Sequence, residues 1–92
     1  MENIVKLSAM PHAQACVYRN TEHATVLRSY QTDVAWIDND GWLVVRGLYS
    51  MTTRKHIGAF VKEYANIDYK LAKKFYEDKV KYNVFTGEVC PI

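Results

Sequence analysis

The chain has 92 residues, of which 49% are hydrophobic and 24% charged, with a formal net charge of +2. That length and balance describe one small globular domain and exclude wholesale disorder. No apolar run approaches the ~18 residues of a membrane span, and no charged-then-apolar start reads as a signal peptide, so the expectation is a cytoplasmic protein without membrane contact.

Glu2 to Ser8 holds Ile4, Val5 and Leu7 and reads as a short edge strand, broken by Met10-Pro11 because proline cannot donate to a ladder. Gln14 to Arg19 alternates, with Ala15 and Val17 on one side and Cys16 and Tyr18 on the other. The polar run Asn20-Thr21-Glu22-His23 reads as a turn. Thr25 to Tyr30 is rich in β-branched and aromatic residues and predicts a strand. Gln31 is expected at a bulge or tight turn. Thr32 to Asp38 continues as a strand, with Val34 and Trp36 on one face and Asp33, Ala35 and Ile37 on the other. Asn39-Asp40-Gly41 before Trp42 to Arg46 is a strong short-range hairpin signal.

Periodicity then changes. Ser50 to Thr53 supplies hydroxyls suited to a helix start. Ile57, Phe60, Val61 and Tyr64 follow at the spacing of a core-facing stripe, predicting a helix over 53–65 that docks on Val34 and Trp36. Asn66-Ile67 interrupts, and Asp68 is suited to cap a second helix reaching about Lys79, with Leu71, Ala72, Phe75 and Tyr76 on its apolar face. In the tail, Val84-Phe85 is strand-like and Thr86-Gly87 is turn-like. The expected fold is α+β, an antiparallel sheet of three to five strands with two consecutive helices on one face.

Cys16 and Cys90 are read as reduced, buried residues rather than a disulfide. Neither they nor His12, His23 and His56 show metal-site spacing, and phosphate-loop and nucleophile motifs are missing, so neither enzyme activity nor a cofactor is expected. A hydrogen bond from His56 to Tyr30 or a strand carbonyl would give that histidine a fold-keeping role.

Charge is uneven. Residues 1–52 carry four Lys and Arg against five Asp and Glu, whereas residues 53–81 carry eight against four. The basic half contributes Arg54, Lys55, Lys62, Lys70, Lys73 and Lys74, with Tyr69 among them. Lys70, Lys73 and Lys74 suit phosphate contacts by a helix pair over 53–79, and a solvated lysine-rich face is the plainer account. Seven Tyr, two Trp and three Phe are many for this length. Arg28, Tyr30, Arg46 and Tyr49 are candidates for base stacking, although core packing or protein contact explains aromatic richness more simply.

The segments VLRSYQTDVAWID and GLYSMTTRKHIGAFVKEY carry a pattern over roughly residues 25–64. The pattern is formed by Val26, Leu27, Ser29, Tyr30, Thr32, Val34 and Ala35, then Tyr49, Ser50, Thr52, Thr53, His56, Ile57 and Phe60. It resembles a family of small uncharacterised proteins carried by bacteriophages and bacterial mobile elements. The resemblance implies origin rather than chemistry. By analogy with anti-CRISPR and other anti-defence proteins, it implies an inhibitor that binds a host nuclease complex, such as a CRISPR effector. The surface expected to carry this comprises Arg46, Tyr49, Arg54, Lys55, Lys62, Tyr69, Lys70, Lys73 and Lys74. Nucleic-acid binding by the basic helix pair is the alternative.

Overall fold

The computed structural model describes residues 4–20 and 24–92. The turn read at residues 20–23 lies outside them from Thr21 onward, as do Glu2 and His23. The elements are β1 (Ile4–Val5), β2 (Ala15–Asn20), β3 (Ala24–Ser29), β4 (Thr32–Ile37), β5 (Trp42–Val45), α1 (Met51–Ala65), α2 (Tyr69–Glu77), β6 (Val80–Asn83) and β7 (Val89–Pro91). All strands are antiparallel, and each pairs with its neighbours in chain order. The α+β class and the antiparallel sheet agree with the sequence. The strand count does not, because the described residues form seven strands where three to five are expected.

The extra strands come from the ends of the chain. Ile4–Val5 pairs with Val17–Tyr18 as a genuine edge strand. In the tail, Val84-Phe85 is not a strand. Asn83 fixes a turn there, its Oδ1 accepting from the backbone N–H groups of Phe85 (2.9 Å) and Thr86 (3.1 Å). The ladder therefore runs through Val80–Asn83 and returns at Val89–Pro91.

Sheet register divides the side chains into two faces. Val17, Leu27, Ala35 and Val45 are opposed across β2 to β5, and Ile37 opposes Leu43. These residues join Ile57, Phe60, Val61 and Ala72 of the two helices in one core. On the helix-free face stand Tyr18, Val26, Trp36 and Val44, also mutually opposed. The face assignment for β4 thus needs correction. Leu27 pairs with Ala35 but Arg28 with Asp33, so Val34 is an inserted residue. A bulge of this kind resets the alternation. Val34 and Ala35 are both buried, and Trp36 lies outside the core rather than beneath α1.

Local chemistry sets the helix ends. The Ser50 side chain accepts from Thr53 N, which starts α1 at Met51, two residues earlier than expected. Asn66 closes it in the left-handed conformation that asparagine tolerates well. Asp68 accepts from Leu71 N and caps α2, as read from the sequence. That helix stops at Glu77 rather than Lys79, because Lys79 is itself left-handed. Its core contacts come from Tyr69, Ala72 and Phe75, while Leu71 and Tyr76 are exposed. Among the described residues, no helix is long and apolar enough to cross a membrane.

Candidate interaction surface

The N-terminal part of α1 and the start of α2 enclose a groove of about 440 Å³ lined by Met51, Arg54, Lys55, Gly58, Ala59, Tyr69 and Lys73. Gly58 is the reason the helices come so close. A Cβ there would stand 3.2 Å from Tyr69 Cβ, so the α2 start rests almost directly on α1 backbone. Gly58 and Ala59 leave a floor without long side chains. Arg54 is steadied by its Nε donating to Leu48 O at 3.4 Å. Three cations line the groove and no carboxylate does. Four of the nine residues singled out from sequence, Arg54, Lys55, Tyr69 and Lys73, are thereby brought together.

The other five are elsewhere. Lys70 and Lys74 line a separate depression of about 490 Å³ with Asn66, Ile67, Asp68 and Leu71. Lys74 Nζ lies 3.4 Å from Asp78 Oδ2, an exposed pair. Arg46 borders a cleft with Val44, Val45, Tyr76, Lys79 and Ile92. Tyr49 folds back so closely over Gly47 that a Cβ there would meet its ring at 2.6 Å. Lys62 is exposed on α1 and lines none of these three cavities. The sequence missed Met51, Gly58 and Ala59, because a glycine within a helical stripe signals a close approach only once the neighbouring helix is placed.

The aromatic candidates do not form one platform. Arg28 is on the helix-free face, where its Nε pairs with Asp33 Oδ1 at 3.0 Å and its guanidinium lies 4.5 Å over the Tyr18 ring. Tyr18 donates its hydroxyl to Asp33 at 2.5 Å, and burial, followed by this carboxylate, pushes the phenol pKa up. Tyr30 instead sits at the β3–β4 turn, its ring 5.9 Å from that of His56. On the helix-free face Lys81 Nζ lies 4.6 Å over Trp42, a cation–π contact.

His56 is fully buried, and its partner is neither Tyr30 nor a strand carbonyl. Its Nδ1 is 2.8 Å from Ser29 Oγ, which is 2.9 Å from Thr53 Oγ1, and Ser50 Oγ donates to Thr53 Oγ1 at 3.2 Å. Nε2 has no hydrogen-bond partner among the described residues. Burial pushes the imidazole pKa down, favouring the neutral ring. A serine beside a histidine is a couple that nucleophilic catalysis can use. Here both groups are sealed in the core, and the chain of hydroxyls joins α1 to β3.

Cys16 and Cys90 are free and half-buried rather than core residues. No cluster of three or more His, Cys, Asp or Glu suited to a metal ion occurs among the described residues. No curated protein and no solved structure matches the chain. A family model does, over residues 5–78, which reach from β1 past the end of α2 and well beyond the pattern at residues 25–64. The chain belongs to that family, a family of unknown function (DUF8033).

Proposed function

We propose that this protein is a small interaction protein of phage type that acts by binding, with the α1–α2 surface as its contact face and a host nuclease complex of the CRISPR-effector kind as its target. The observation that supports the reading is the cationic groove, where Arg54, Lys55 and Lys73 surround a small apolar floor and no carboxylate is among the described lining residues. An anionic surface on a protein partner complements it in charge, and the exposed Met51 suits interface packing. Such an inhibitor works in the bacterial cytoplasm, occludes its target sterically and needs no cofactor.

The test is a cleavage assay with purified effectors from the bacterial host, run with the natural chain and with Arg54→Glu combined with Lys73→Glu. Stoichiometric inhibition by the natural chain and at least about tenfold weaker inhibition by the variant are expected, a loss equivalent to about 1.4 kcal/mol. If the chain neither binds nor inhibits any effector, the reading fails. A second reading, nucleic-acid binding, draws on Lys70, Lys73 and Lys74, which are all exposed along α2. It expects affinity for DNA or RNA that falls steeply with salt and disappears in Lys73→Glu with Lys74→Glu.

A further inference from the structure

We infer that the α1–α2 groove receives an acidic segment of a partner protein, one aromatic or branched apolar side chain of which seats between Gly58, Ala59 and Tyr69. This rests on the protein-binding reading above and names the chemistry of its ligand.

Charge is the first argument. The lining runs over residues 51–59 of α1 and 69–73 of α2, and neither helix has an acidic residue in its first turn. Arg54, Lys55 and Lys73 place three full positive charges in that lining. The nearest capping carboxylate, Asp68, accepts from Leu71 N and lines the depression beyond α2 rather than this one. Carboxylates on the incoming segment answer this field directly.

Shape is the second. The floor is glycine and alanine because the helices cross at Gly58, and Tyr69 forms one wall. A volume of about 440 Å³ holds one large side chain together with the backbone that carries it. Met51, 70% exposed at the mouth, provides a pliable apolar rim. A strand of bases calls for a succession of ring faces, and the groove offers only Tyr69. One apolar knob flanked by carboxylates fits both the floor and the rim.

The test uses a series of heptapeptides with glutamates flanking a central Trp, Phe, Leu or Ala, and a 20-nucleotide single strand of DNA and of RNA, titrated into the natural chain and three variants. Ala59→Leu fills the floor and leaves every charge in place. Met51→Glu, at an exposed position, opposes the ligand at the mouth without disturbing the core. Arg54→Glu reverses one rim charge. The Trp, Phe and Leu peptides are expected to bind at least about tenfold more tightly than the Ala peptide, and each variant is expected to remove at least about tenfold of that affinity. Equal binding of all four peptides, or full binding by Ala59→Leu and Met51→Glu, overturns the seated side chain. In that case inhibition of effectors that persists in Ala59→Leu leaves the broader reading standing. Oligonucleotide binding that competes with the peptides overturns both.

Discussion

His56 is expected to make folding stability depend on pH above the range where carboxylates titrate. It is fully buried, burial pushes its pKa below the ordinary value of 6.5, and Nε2 has no partner among the described residues. The folded state therefore holds the ring neutral while the unfolded chain takes a proton at the ordinary value. Stability from this group is complete above about pH 6.5 and is lost as pH falls below it, until the folded pKa is reached. Between pH 7.5 and pH 5.5 the loss has a ceiling of ~1.4 kcal/mol, set by protonation of the unfolded state alone. Urea unfolding followed by Trp fluorescence at both pH values measures it, with His56→Gln as the chain without this titration. The natural chain should lose more than the variant over that interval, by no more than that ceiling. In NMR, the His56 ring resonance of the folded chain should titrate below the ordinary imidazole value. Equal pH dependence of the two chains, or titration of His56 near its ordinary value in the folded state, refutes the burial argument.

Other substitutions probe the turns and caps that hold the fold. Asn83→Ala removes the acceptor for Phe85 and Thr86 and the Nδ2 donor to Asp40 O at 3.1 Å; a loss of about 1–3 kcal/mol in urea unfolding is expected. Gly41→Ala places a side chain at φ +93° and should destabilise by about 1–2 kcal/mol, with the exposed Phe85 ring free to move aside. Ser50→Ala removes the α1 cap and should lower stability by about 1 kcal/mol. Lys74→Ala breaks only an exposed pair with Asp78, and its thermal midpoint should match the natural chain.

The parts of the fold governed by local chemistry were legible in the sequence. Asp38 Oδ1 accepts from Asp40 N and Trp42 N, and Gly41 takes a positive φ, so the hairpin between β4 and β5 is fixed by its own loop residues. Ser50 and Asp68 cap the two helices for the same reason. The failures depended on partners distant in the chain. Strict alternation along β4 puts Trp36 with Val34 in the core, and the bulge at Val34 appears only when β3 is paired with β4. Val84-Phe85 looked like a strand because both residues favour one, but Asn83 turns the backbone at that point. The cations of the candidate surface were visible as residues off the helical stripes. Which of them converge was not, because convergence depends on the close approach of α2 at Gly58.

The most direct test of the groove account is an amide NMR titration of the natural chain with the glutamate-flanked Trp heptapeptide. Shifts concentrated at residues 51–59 and 69–73, absent with the Ala peptide, are the result the account expects. Shifts centred on the helix-free face around Tyr18, Trp36 and Trp42, or identical shifts with both peptides, would contradict it.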